Sequence, residues 1–154
     1  MAYRVFVSYS TKDLRLVDII KSLLERPGIE VFIAQYSITA GAQLMPEILS
    51  AIKRCDLFLL LWSPNAKQSE WVPQEIGVAR GLDKPVIPIM LKKGVDAPGF
   101  LRDLKYLPLY SEPEQALKWL QKHAFCNAKA KSENDMLVAL ALTGGILWIL
   151  SQSK

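Results

Sequence analysis

The 154 residues suffice for one domain of ordinary size plus a short appendage, and 51% apolar against 22% charged residues marks a globular chain, not a disordered or fibrous one. The net charge of +4 is scattered, with no basic run long enough to follow a phosphate backbone, so nucleic acid is not an expected partner. Two distant cysteines, Cys55 and Cys126, and the single His123 give neither a zinc spacing nor a disulfide framework; they suit a reducing cytosol, and no metal is expected.

Tyr3 to Ser8 is β-branched and aromatic and predicts a buried strand; no charged-then-apolar leader stands before it, so no secretory signal is expected. Ser10 or Thr11 caps a helix whose Leu16, Val17, Ile20, Leu23 and Leu24 recur at helical spacing until Pro27-Gly28 stops it. A second strand follows from Ile29 to Ala34. Gln35 to Met45 is a long polar loop containing Gly41, and a helix is expected from Pro46 to Arg54. Asp56 to Trp62 is nearly all apolar, as a strand covered on both faces must be.

Ser69 to Leu82 carries the most informative side chains. Ser69 is placed to cap a helix, Pro73 falls in its first turn, where amide donors lack partners, and Gly81 is placed to end it. Trp71 and Glu75 are four residues apart and share one face, an indole beside a carboxylate, an arrangement suited to a ring and a ribose. The plainer reading makes Trp71 a core anchor and Glu75 a solvated acid favoured by the helix dipole. A fourth strand runs from Val86 to Leu91, where Pro88 implies an edge or a bulge. Residues 92–105 are irregular with room for one short helix, Tyr106 to Tyr110 is a weak fifth strand, and Ser111 caps a last helix burying Ala116, Leu117, Leu120 and Ala124.

Five alternations of strand and helix imply a flavodoxin-like α/β fold, a five-stranded parallel sheet with helices on both faces whose ligands sit at the carboxyl ends of the strands. The expected organisation is a domain over 1–126, a polar linker over 127–135 and a hydrophobic C-terminal helix over 136–151. Met136 to Leu150 is uncharged and apolar on every side, and the mean hydropathy of the whole chain is +0.16. At about 22 Å such a helix is short for a roughly 30 Å hydrocarbon core. Lys118, Lys122, Lys129 and Lys131 precede it and only Lys154 follows, which would hold the folded domain in the cytoplasm if the segment is a membrane anchor. Packing between subunits of an oligomer is the alternative.

The order Val5-Phe6-Val7-Ser8-Tyr9-Ser10, then the Gly41 loop, then Ser69-Glu70-Trp71-Val72-Pro73-Gln74-Glu75 resembles the TIR (Toll/interleukin-1 receptor) domain, particularly its prokaryotic branch, over about Ala2 to Lys122. The resemblance implies that loop 35–46 mediates self-association and covers the site, and that Glu75 matches the catalytic glutamate of enzymatic members. These cleave the nicotinamide–ribose bond of NAD+, their substrate and not a resident cofactor, giving ADP-ribose or a cyclic isomer. Such members act in anti-phage defence. Ser37 and Thr39-Ala40 depart from the usual pattern of that loop.

The residues suit the chemistry. Nicotinamide leaves NAD+ as a neutral base and needs no general acid, so one carboxylate that stabilises the developing ribosyl cation is enough. Trp71 would wall the cleft, Tyr9 or Tyr36 would stack on a ring, and Ser8 and Ser10 would bond ribose or amide, although serines at strand ends more often cap helices. The alternatives are a non-enzymatic adaptor acting through contacts between such domains, and nucleoside deoxyribosyl transfer. No phosphate loop or dinucleotide fingerprint is present, and His123 reads as solvated.

Overall fold

The computed structural model describes residues 1–34, 45–97 and 99–140. The expected loop from Gln35, with Tyr36 in it, lies outside the described residues up to position 44, as does the segment from 141 onward. Strands β1 (Tyr3–Ser8), β2 (Ile29–Ile33), β3 (Leu57–Trp62), β4 (Val86–Met90) and β5 (Leu107–Pro108) form one sheet in the order β2-β1-β3-β4-β5, and every pairing is parallel. This is the flavodoxin-like order, reversing between β1 and β3.

Helices α1 (Leu14–Leu24) and α5 (Pro113–Ala139) pack together on one face. On the other lie α2 (Pro46–Arg54), the single turn α3 (Pro64–Lys67) and α4 (Trp71–Gly81). Alternation divides the strands between two cores. Phe6, Phe58, Leu60 and Trp62 meet α2 and α4, whereas Val5, Val7, Leu57, Leu59 and Leu61 meet α1 and α5. All six residues of β3 are buried, so its uninterrupted apolar run reflects a strand covered on both sides.

Several local expectations are corrected by competing chemistry. Gly81 is the last residue of α4, as expected, but the left-handed residue that turns the chain away is Asp83, at φ 55°, with the Lys84 amide donating to Ala79 O and the Asp83 amide to Arg80 O. These are the two bonds of a Schellman turn, and aspartate tolerates that conformation better than most residues. Ser111 does not cap α5: Glu112 is the cap residue, Pro113 begins the helix, and Ser111 Oγ turns back to Pro108 O. Strand β5 shrinks to two residues. Because β5 reaches only Ile89 and Met90, β4 is interior by order but unpaired on its outer side at Pro88.

Residues 127–135, expected as a linker, continue α5 without a break. Lys131 clips this extension to the sheet, its Nζ donating to Asp56 Oδ2 at 2.8 Å and to Ala2 O at 2.9 Å, while the Arg4 amide donates to the same carboxylate at 2.8 Å. Past the clip Met136, Leu137, Val138 and Leu140 are all exposed. Among the described residues no helix is long and apolar enough to cross a membrane; most of the expected anchor, 136–150, lies outside them.

Candidate active site at the carboxyl edge of the sheet

Helix α4 begins at the carboxyl edge because Ser69 starts it there. Ser69 Oγ accepts from the Trp71 and Val72 amides at 3.2 and 3.3 Å, the capping role expected of it. Pro73 costs nothing at the third position, where an amide has no intrahelical acceptor. The face turned to the sheet consists of Val72, Glu75, Ile76 and Ala79, and Glu75 is 0% exposed. Trp71, one turn earlier, is half-buried. Glu75 is therefore not the solvated acid of the plainer reading. Enclosing a carboxylate on an otherwise apolar helix face removes it from water, which is costly to the charged form.

The end of β1 carries groups on the same side of the sheet as this acid. Ser8 alternates in phase with Phe6, so its side chain faces the α2/α4 layer, as Glu75 does. It is fully buried, and its Oγ has no hydrogen-bond partner among the described residues. Tyr9 falls on the opposite face, in the α1/α5 core, and its hydroxyl donates to Ala34 O at 2.7 Å. That bond braces the ends of β1 and β2. Burial raises the Tyr9 phenol above its usual pKa, and the negative charges of Glu75 and then Asp18 add to the effect. Glu75 is thus an electrostatic neighbour of this strand end.

Ser10 is nearly buried and accepts from the Lys12 amide at 3.3 Å, capping the 3-10 turn Thr11–Asp13. The structure brings Glu75, Trp71 and Ser8 to one side of the sheet edge, puts Tyr9 behind it and gives Ser10 a capping bond. Tyr36 lies outside the described residues. Sequence reasoning missed Asp13. Its carboxylate accepts from Ser63 Oγ at 2.6 Å and from Asn65 Nδ2 at 3.3 Å, while Ser63 Oγ accepts from the Ala66 amide. This clamp joins the turns after β1 and β3. No local signal marks it, since its partners lie 50 and 52 positions away.

Other reactive groups are tied up elsewhere. Cys55 is buried and its thiol is pushed up to about 11, chiefly by burial, so it is not a poised nucleophile. His123 is half-buried, not solvated; it stacks on Trp119 with ring centroids 4.8 Å apart, and burial lowers its pKa. Among the described residues no cluster of three or more His, Cys, Asp or Glu could hold a metal. What remains is an enclosed carboxyl group on α4 and a buried hydroxyl at the end of β1, on the same side of the sheet; a carboxylate so placed suits stabilisation of positive charge developing on a ligand.

Sheet order and site position together define an α/β protein of the flavodoxin-like class, with its candidate site at the strand-order reversal. Within that class the chain belongs to the TIR domain family, whose model matches residues 5–121. The TIR domain of the Toll-related receptor TRR-2 from Hydra magnipapillata is similar at TM-score 0.63 and 23% identity, over 81% of this chain and 97% of that one. A CMP N-glycosidase of Clostridium botulinum, BcmB, is similar at TM-score 0.54 and 24% identity, over 75% of this chain and 97% of that one. The TIR domains of the activated Roq1 resistosome, which recognises the pathogen effector XopQ, are similar at TM-score 0.50 and 20% identity, over 80% and 84%. Identities this low show a shared fold. No curated protein matches the chain.

Proposed function

We propose that this TIR domain hydrolyses the nicotinamide–ribose bond of NAD+. The observation that carries the reading is Glu75, wholly enclosed on the sheet-facing side of α4 and on the same side of the sheet as Ser8. As the bond between the ribose C1′ and the pyridinium nitrogen breaks, its electron pair leaves with nicotinamide, which becomes neutral while the ribose becomes cationic. The carboxylate stabilises that cation more than it stabilises the substrate, and this difference is what accelerates the reaction. Water then bonds to C1′ and loses a proton, giving ADP-ribose; attack by a ring nitrogen of the adenine gives the cyclic isomer instead.

Trp71 walls the cleft and Ser8 bonds to the ribose or the carboxamide. Tyr9 acts from behind by fixing the end of β1, and Ser10 by fixing the turn after it. Self-association through loop 35–46 switches the domain on, and the biological setting is prokaryotic anti-phage signalling. Assembly of the Roq1 TIR domains in a resistosome supports the first of these, as an analogy of fold. Membrane attachment through 136–150 would concentrate the domain.

A second reading has one specific observation behind it: the CMP N-glycosidase shares this fold, and its name describes cleavage of a nucleotide's N-glycosidic bond. Cytosine is a poorer leaving group than a pyridinium and needs a proton, for which the described site offers no evident donor beside Glu75, so NAD+ is preferred. The test is incubation of the full chain at high concentration with NAD+ or with CMP, separating products by chromatography. Nicotinamide release that falls about 100–1,000-fold in Glu75→Gln is expected. Cytosine release without nicotinamide would favour the second reading, and release of neither would leave an adaptor.

A further inference from the structure

At the opposite end of the carboxyl edge, the C-terminal part of β4, the segment 92–97, the 3-10 turn Gly99–Leu101 and the approach to β5 enclose a cavity of about 370 Å³. Its wall includes Met90, Lys92, Asp96, Arg102, Tyr106 and Tyr110. Ser8, Trp71 and Glu75 contribute nothing to it. One wall is pinned from beneath, because the buried Trp62 indole donates its Nε1–H to Asp96 O at 3.1 Å.

Three features make this a binding site of definite chemistry. Lys92 and Arg102 are exposed, and neither makes an ion pair or a side-chain hydrogen bond among the described residues. Asp96 offsets one of the two cations, so the lining keeps a positive excess. Tyr106 and Tyr110, 52% and 38% exposed, both line the same cavity. Two exposed tyrosines in one wall offer an aromatic platform on which a planar base can stack. The volume lies near the lower end of the ligand-pocket range and suits a mononucleotide.

We propose that this cavity binds a nucleoside monophosphate, its base on the Tyr106/Tyr110 platform and its phosphate between Lys92 and Arg102. The inference is independent of what Glu75 does. Guanidinium and ammonium groups near an aromatic surface bind phosphate and base together, and neither half of such a ligand would satisfy the site alone.

The experiment is calorimetric titration of the full chain with AMP, with adenosine and inorganic phosphate as the separate halves. AMP should bind saturably and more tightly than either half, and should weaken as salt is raised. Lys92→Ala and Arg102→Ala, both at exposed positions, should each weaken AMP by about tenfold or more. Lys105→Ala, a neighbouring cation outside the wall, and Glu75→Gln should leave the affinity unchanged. Nuclear magnetic resonance should show the Tyr106 and Tyr110 ring signals shifting with AMP. Absence of saturable binding overturns the proposal. So does loss of binding in Glu75→Gln with retention in the Lys92 and Arg102 variants, which would assign AMP to the other site, or equal loss in Lys105→Ala, which would reduce the effect to bulk charge.

Discussion

The two ends of the sheet each hold a carboxylate away from bulk water, and they treat it differently. At the amino edge Asp56 is about one-quarter exposed, and its Oδ2 takes the Arg4 amide and the Lys131 ammonium, both at 2.8 Å. That acid joins β1, β3 and the far end of α5, and its place is explained by the fold it holds. At the carboxyl edge Glu75 is 0% exposed on a helix face it shares with Val72, Ile76 and Ala79. Those neighbours would pack as well against an aliphatic side chain. A carboxylate that staples elements can be read as structure; one enclosed at the edge where such sheets bind ligands is a candidate for chemistry.

Alkaline titration gives the largest expected break in this comparison, because the amino edge also holds two buried acids that keep their protons. The Tyr3 phenol is pushed from 10.0 to about 12, first by burial and then by the charge of Asp56, and the Cys55 thiol from 9.0 to about 11, first by burial. In both cases the folded state binds the proton more tightly than the unfolded state. Their contribution is fully present below pH 9, falls between 9 and 11 for Cys55 and between 10 and 12 for Tyr3, and is lost above. Each is worth on the order of 2 kcal/mol. Urea midpoints measured from pH 8 to 12 should decline through that window, and a flat profile would contradict the assigned burial.

Removing the staple comes next. Lys131→Met should cost about 1–3 kcal/mol, since it strands a partly buried carboxylate, and should leave nicotinamide release by the folded protein unchanged. A matching loss of turnover in folded protein would mean that the two edges are coupled. Glu75→Leu should do the reverse, abolishing turnover while changing the unfolding free energy measured in urea by no more than about 1 kcal/mol. Strong destabilisation by leucine would move Glu75 into the structural class with Asp56. The smallest effect is expected at the end of α4, where Asp83→Gly relieves a left-handed aspartate and should stabilise by about 0.5–1 kcal/mol in thermal melts.

The same contrast explains what could be read from the chain. Strand β3 and helix α2 were legible because burial on one or both sides writes a periodic pattern into neighbouring residues. The helix that carries Trp71 and Glu75 was legible from its Ser69 cap and the pattern that follows. Helix ends were less so: α4 does stop at Gly81, but the left-handed turn falls on Asp83, and the Glu112-Pro113 step takes the place expected of Ser111 at the start of α5. The clamp of Asp13 on Ser63 and Asn65, and the clip of Lys131 on Asp56, join residues 50 or more positions apart and leave no trace in any window. Tyr9 and Ser8 are adjacent in sequence, and strand alternation sends their side chains to opposite sides of the sheet.

The central claim is that Glu75 is enclosed for its charge and not for its bulk. Glu75→Gln preserves size and shape, so nicotinamide release from NAD+ and the urea midpoint of the same preparation separate the two possibilities. The account predicts turnover lower by about 100–1,000-fold with a midpoint equal to or above that of the parent. Full turnover in the glutamine variant, or turnover lost only in step with unfolding, would contradict it.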